Sequence, residues 1–305
     1  MTTSTAEDHV FVVGEALVDI VVDGDTVTEH PGGSPLNVAY GLAKLGIPTT
    51  LRALIGDDER GRSIEDHLGA VGVELDMSTV DAGIDTSTAV ATIQSDGHAE
   101  YDFDIAWDPG TIHTPDATTI IHTGSIAAVL EPGADDVLRL FTESSETVLL
   151  SFDPNVRPSI TPDRPAVRAR IERLASLSHV VKMSDEDASW LHPDLSLDAV
   201  LDRYLAGGTA LVAITRGADG CIVATRDARL ALPSLPVDVV DTIGAGDAFM
   251  SGMLYAIVRG GSAPGIRSGI LAATELEAIA RTALRSSRVT VSRSGARPPS
   301  QTELV

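Results

Sequence analysis

Six short runs rich in β-branched and aliphatic residues, at 10–13, 50–55, 119–122, 148–152, 179–182 and 210–215, alternate with stretches of helical period. Such alternation is the mark of βα units, in which each helix carries the chain back so that successive strands run the same way. The expected fold is α/β, a doubly wound and mostly parallel sheet flanked by helices. Two segments break the pattern: 17–22 could form a strand, and 88–94 with 101–105 reads as a hairpin about the Asp96-Gly97 turn. Strands that interrupt a doubly wound sheet must pack elsewhere, so they are expected to form a small β lid. With 305 residues, 43% of them hydrophobic, the chain can bury one large core. The expected domain runs from 8 to 299, with lid segments 15–30 and 86–107 and tails at 1–7 and 300–305.

The formal charge of −22 argues against nucleic acid or an anionic membrane as partner, since both favour a basic surface. The single cysteine, Cys221, excludes an internal disulfide. The first nine residues are polar and acidic, and no apolar run approaches the roughly 20 residues of a membrane span. A cytoplasmic protein is expected.

The stretch most suggestive of chemistry lies at 239–252, VVDTIGAGDAFMSG. A β-branched run ends at Asp241, Gly244 and Gly246 frame Ala245, and a helical period begins beyond Asp247, which reads as strand, tight loop and helix. Backbone N–H groups left unpaired at a helix start favour an anion, and the two glycines leave room for a phosphoryl group. Asp247 stands where it could take a proton from an attacking hydroxyl. Other nucleotide motifs fit worse. A Walker A loop needs a Gly-Lys pair, and the only lysines are Lys44 and Lys182; a dinucleotide fingerprint needs a glycine where Phe249 stands.

In the N-terminal half, Asp19 follows the first strand, near the carboxyl end where open α/β sheets bind ligands, and could accept hydrogen bonds from a polyol. Gly32 and Gly33 precede a helix that closes at Gly46, and Asn37 could both donate to and accept from one sugar. Tyr101 and Phe103 join aromatic faces to acids in the presumed lid, which would exclude water when closed. Further on, Asp153, Asn155 and Arg157 end one strand with an acid, an amide and a cation, and Thr215, Gly217 and Gly220 end another in a glycine turn.

Taken together these motifs resemble the ribokinase-like (PfkB-type) carbohydrate kinase family over nearly the whole chain, and within it the bacterial fructokinases most. The family's D-T-x-G-A-G-D signature is matched from Asp241 to Asp247, its G-G-x-x-x-N-x-A segment at Gly32, Gly33, Asn37 and Ala39, and its G-x-D-x-x-G-x-x-I turn at Gly56, Asp58, Gly61 and Ile64. The resemblance implies Asp247 as catalytic base and Gly244, Ala245 and Gly246 as the anion hole. It implies sugar contacts from Asp19, Gly32, Gly33, Asn37, Tyr101, Phe103 and Arg157, and nucleotide contacts from Thr215, Gly217, Gly220 and Thr242. The family's N-x-x-E motif is altered, Ser184 and Asp187 standing for Asn and Glu, so water-mediated magnesium binding would fall to Glu186 or Asp187. The 293–296 loop is similar to one that flanks a monovalent-cation site, beside Asp241. The implied activity is transfer of the γ-phosphoryl group of ATP, with Mg2+ and optionally K+, to a sugar hydroxyl, fructose foremost; 2-keto-3-deoxygluconate or ribose is the alternative acceptor. A homodimer formed through the lid is compatible with it. A sugar-sensing relative without turnover, and a nicotinamide oxidoreductase, are the readings from other classes.

Overall fold

Strand His9–Val13 lies between Thr118–Gly124 and Thr49–Arg52, third from one edge of a nine-stranded sheet. A computed structural model describes residues 8–94 and 99–304, so the Asp96-Gly97 turn lies outside the described residues. The sheet order is Arg229–Leu232, Cys221–Ala224, Leu211–Thr215, Val180–Ser184, Leu149–Asp153, Thr118–Gly124, His9–Val13, Thr49–Arg52, Glu74–Leu75. The first two strands pair antiparallel with their neighbours; all other neighbours pair parallel. His9–Val13 is thus a topological switch point, from which the chain winds first to one side and later to the other, and open α/β sheets bind ligands beyond the carboxyl ends of such strands.

Both faces of the sheet are covered. Alternate residues of one strand point to opposite faces. Val10 and Val12 pack with Leu36, Leu42, Phe249 and Met253, whereas Phe11 and Val13 pack with Phe141, Leu150 and Phe152. The first face carries helices Ser34–Lys44, Ala245–Gly260 and Ala273–Val291. The second carries Gly133–Ser144, Arg164–Leu177 and Leu197–Ala206. No described helix is long and apolar enough to cross a membrane.

The interrupting segments form a separate four-stranded sheet in the order Thr26–Gly32, Leu17–Asp23, Thr88–Ile93, Ala99–Asp104. Thr26–Gly32 does not read as a strand in the sequence, because it is an edge strand exposed from Thr26 to His30, where polar residues and Pro31 are tolerated. Trp107, expected at the end of the lid, is instead in the main core at 3% exposure, its indole N–H donating to the Ala127 carbonyl at 3.1 Å. Residues 301–304, expected within a tail, form a helical turn that buries Leu304.

The strand expected before Asp241 is absent. Val239 and Val240 are 61% and 63% exposed, and the N–H groups of Val240 and Asp241 both donate to the Val291 carbonyl. The segment docks on the C-terminal end of helix Ala273–Val291, whose last carbonyls lack helical donors, rather than on a strand. The helix after it is held closely on two sides. A Cβ on Gly41 would come 2.5 Å from Ser251 Oγ, and one on Gly252 would come 2.6 Å from the Ser286 Cβ and 3.1 Å from the Ala283 Cα. These contacts set the height of the 244–246 loop above the sheet. Gly252→Ala would gain about 1 kcal/mol of helix propensity yet lose more to overlap. We expect a net loss of about 1–2 kcal/mol, read as a lower urea midpoint at unchanged slope; a higher midpoint would mean the helices have slack.

Candidate active site

Helix Ala245–Gly260 begins at Gly244, whose φ of 71° lies in the left-handed region and whose Cβ, were there one, would stand 2.7 Å from that of Ala296. Asp241 ties this turn down, Oδ1 accepting from the Ile243 N–H at 3.0 Å and Oδ2 from the Gly295 N–H at 2.8 Å. Those two bonds hold its carboxyl below the usual range. Asp241 therefore joins the 244–246 loop to the 293–296 loop and has both oxygens engaged by backbone.

Asp247, in the first helical turn, is 7% exposed. Its Oδ1 accepts from Ser34 Oγ at 2.7 Å and its Oδ2 from Asn37 Nδ2 at 2.9 Å. Both donors lie in the first turn of helix Ser34–Lys44, which Gly33 caps with a φ of 108°. Two helix N-termini thus converge on one carboxylate. Asn37, expected to face a sugar, spends its amide N–H on Asp247 while lining the same cleft. Ser34 was not evident from the motif, although its i, i+3 spacing from Asn37 places the two on one helix face.

Two clefts meet at this point. One, of about 390 Å³, is lined by Glu15, Asp19, Gly33, Asn37 and Phe103 together with residues 242–247. The other, of about 610 Å³, is lined by Lys182, Glu186, Thr215, Arg216 and Gly217, among others. Asn155, Arg157, Thr242 and Gly246 border both. Asn155 holds a φ of 36°, unusual for a residue with a side chain and typical of sites where backbone strain is retained. The clefts lie beyond the carboxyl ends of the strands ending at Val13, Gly124, Asp153, Ser184 and Thr215.

Asp19 is exposed in the first cleft, where partial desolvation raises its pKa against the opposing pull of Arg157 and His30. Gly32 lies behind it, since a Cβ there would overlap the Asp19 carboxylate. Tyr101 stacks on Phe103 with centroids 6.1 Å apart but is 62% exposed and does not line the cleft. Gly220 is also absent from the cleft walls; its φ of 83°, and the Leu232 carbonyl oxygen 2.1 Å from where a Cβ would stand, make it a turn residue.

Asp187 accepts from the Val156 N–H at 2.8 Å and the Ser184 N–H at 2.9 Å, and Ser184 Oγ accepts from the Asp187 N–H, closing a capping box. Both its oxygens are engaged, so it fixes the turn. Glu186 is exposed at the second cleft. Among the described residues no three acid, His or Cys side chains gather as a metal cage. Magnesium needs none, because it keeps several waters and takes one or two carboxylates plus substrate phosphates, a requirement that Glu186 fits.

Glu15 is a further cleft residue, carried by the turn after the first strand. It is 3% exposed, and Oε2 accepts from the Ala127 N–H at 3.1 Å. Burial raises its pKa to about 7, against hydrogen bonds from its own backbone, Ser125 and Ala127 and the charge of Arg157. A carboxyl with its folded pKa raised stabilises the fold below its unfolded pKa and loses that contribution as pH rises through the folded one. Stability should therefore fall between about pH 4.5 and 7, by roughly 3 kcal/mol from this group. Glu15→Gln should flatten that slope in urea unfolding at pH 5 and pH 8; the same slope in both proteins would place the titration elsewhere.

The model of the pfkB family carbohydrate kinases matches residues 7–303. A fructokinase of Rhizobium leguminosarum bv. trifolii is 34% identical over 259 residues, covering 80% of this chain and 78% of its own. Fructokinase-1 of Oryza sativa subsp. japonica is 32% identical over 95% of this chain and 94% of its own. Among solved structures, an ATP-bound fructokinase from Xylella fastidiosa shares the fold with a TM-score of 0.85 at 24% identity, over 98% of this chain and 97% of its own. A fructokinase from Vibrio cholerae O395 in fructose-, ADP- and calcium-ion-bound form has a TM-score of 0.80 at 27% identity, over 98% and 96%. The chain belongs to the pfkB family of carbohydrate kinases and is an ATP-dependent sugar kinase.

Proposed function

We propose that the protein transfers the γ-phosphoryl group of ATP to fructose, giving fructose 6-phosphate, with Asp247 as the base. The observation that carries this reading is the position of Asp247: buried, oriented by Ser34 and Asn37, and standing where a sugar-sized cleft meets a larger one across Gly246. The fructokinases among the relatives favour fructose as the acceptor.

The smaller cleft takes the sugar. Asp19 accepts from its hydroxyls, Phe103 covers an apolar face, and the second sheet acts as the lid that excludes water. The larger cleft takes the nucleotide, along Thr215 and Gly217, with Arg157 between the two substrates. As the acceptor oxygen attacks phosphorus, its proton passes to Asp247. The N–H groups at the start of helix Ala245–Gly260 stabilise the charge that develops on the transferring phosphoryl oxygens. Magnesium, when bound, neutralises phosphate charge, and Glu186 is the residue that would hold it through water. Positioning and electrostatics suffice, with no covalent intermediate on the protein.

ADP release with magnesium-ATP, followed for fructose, ribose, 2-keto-3-deoxygluconate, glucose and adenosine in potassium and in sodium buffers, tests the acceptor. Turnover should favour fructose; preference for 2-keto-3-deoxygluconate or ribose would reassign the substrate, and ATP binding without any release would favour a sensing role. Asp247→Ala should lower kcat by about 100- to 10,000-fold while sugar binding survives. Near wild-type turnover in the folded variant would remove Asp247 from the base role. Asn37→Ala should lower kcat as well as raise the acceptor KM, each by on the order of tenfold, with the ATP KM little changed; an equal rise in both KM values would place Asn37 in a structural role.

A further inference from the structure

The small sheet has a second face that neither the motifs nor the mechanism above uses. Residues opposite one another on paired strands share a face. Asp19 stands opposite Ala89, and Ala89 opposite Phe103, so these three belong to the face that lines the smaller cleft. The next rung, Ile20 with Glu29 on one side and Val90 on the other, belongs to the rear face. The apolar part of that face is seated on helix Glu59–Gly69, Val18 and Ile20 sharing a buried cluster with Ile64 and Leu68. Between the rear face and the start of this helix lies a groove of about 470 Å³.

The groove is crowded with negative charge. Glu29 and Asp104 enter it from the sheet, and Asp58, Glu59 and Asp85 from the body. Among the described residues that line it, Arg60 is the one cation, and two bonds join it to Glu29, Nε to Oε2 at 3.2 Å and Nη2 to Oε1 at 2.7 Å. The hydrogen bond from Arg60 holds the Glu29 carboxyl below its usual range. Arg60 lies in the first turn of its helix, where the dipole disfavours a cation. An exposed ion pair adds little to stability. Neither local preference nor stability explains an arginine here, whereas the attachment of the sheet does. Asp58, the N-cap of the same helix, accepts from the Thr86 N–H at 2.8 Å and the Thr86 hydroxyl at 2.7 Å, which pins the root of the sheet. Arg60 pins its edge strand, Thr26–Gly32, and two attachments to one helical turn fix the tilt of the sheet.

We propose that Arg60 is a positioning residue for the acceptor: through Glu29 it holds the sheet, and with it Asp19 and Phe103, at the height the sugar requires. Asp58 and Glu59 also act on Arg60, so without the guanidinium Glu29 faces them unscreened and like charges press the sheet off the helix. The share of molecules with the sheet seated then falls, and the apparent acceptor affinity falls by the same factor. The proposal rests on the reading of the smaller cleft as the acceptor site.

The test is a cycle of Arg60→Met, Glu29→Gln and the double variant. Arg60→Met should raise the acceptor KM about fivefold, with kcat and the ATP KM within about twofold of wild type and the urea midpoint little changed. Adding Glu29→Gln removes the stranded carboxylate, so the double variant should bind the acceptor better than Arg60→Met does, within about twofold of Glu29→Gln alone. Effects that multiply in the double variant would overturn the proposal, as would an acceptor KM that Arg60→Met leaves unchanged. Amide hydrogen exchange of the ligand-free protein reads the sheet without turnover. Arg60→Met should speed exchange in peptides covering 26–33 and leave those of helix Glu59–Gly69 as in wild type; unchanged exchange at 26–33 would overturn the attachment. Asp19→Ala tests the acceptor reading separately: an unchanged acceptor KM there would reject the smaller cleft as the sugar site, while the exchange data would still report whether Arg60 holds the strand.

Discussion

The carboxylate of Asp247 is held by two side chains, Ser34 and Asn37, that precede it by 213 and 210 residues. Most of the fold can be understood as what brings those three residues together. A carboxylate buried without donors would be neutralised or expelled, so the first turns of two helices must arrive at the same point, each with its N-terminal end forward. Gly41 lets helix Ser34–Lys44 approach Ser251, and Gly252 lets helix Ala273–Val291 approach from the other side. Small residues at the crossings thus give the site its geometry, although neither Gly41 nor Gly252 lines a cleft.

The same logic explains what the sequence discloses. Strands whose two faces are both covered show as continuous apolar runs, and those at 10–13, 119–122 and 210–215 are found within a residue or two of where the pattern places them. The Gly-Ala-Gly-Asp segment is equally legible, because a left-handed turn followed by a helix start leaves a local mark. Val239 and Val240 mislead for the complementary reason: β-branched residues state a preference for extended backbone, not for a sheet neighbour, and here the neighbour is a helix end. Partnership across the chain is not legible locally. Ser34 and Asp247, Lys182 and Asp153, and Glu15 and Ala127 are each brought together by strand order, which no short window encodes.

Burial also separates residues that look alike in the sequence. Asp187 and Glu186 are adjacent acids, yet one is consumed by two backbone N–H groups and the other is left to solvent. Tyr101 and Phe103 share a strand face, yet only Phe103 lines the cleft. Motif membership therefore identifies a loop and not the work of each side chain in it.

A chain with a net charge of −22 has to bind a polyanionic nucleotide. Its surface field is screened within about 8 Å at physiological ionic strength, so exposed acids beyond that distance contribute little at the cleft. What governs binding is the local balance, and there cations stand level with acids. Arg157, Arg216 and Lys182 line the larger cleft, and the N-terminus of helix Ala245–Gly260 adds its partial positive charge. The opposing acids nearest the loop are not free charges: Asp153 is paired with Lys182, Asp187 and Asp241 accept from backbone N–H groups, and Asp247 accepts from Ser34 and Asn37. Each of these four carboxylates is bonded within the protein, so its charge is spread into donors, whereas Asp19 and Glu186 stay open to solvent. An acidic exterior and an anion-binding interior are compatible because the buried acids beside the loop are already engaged.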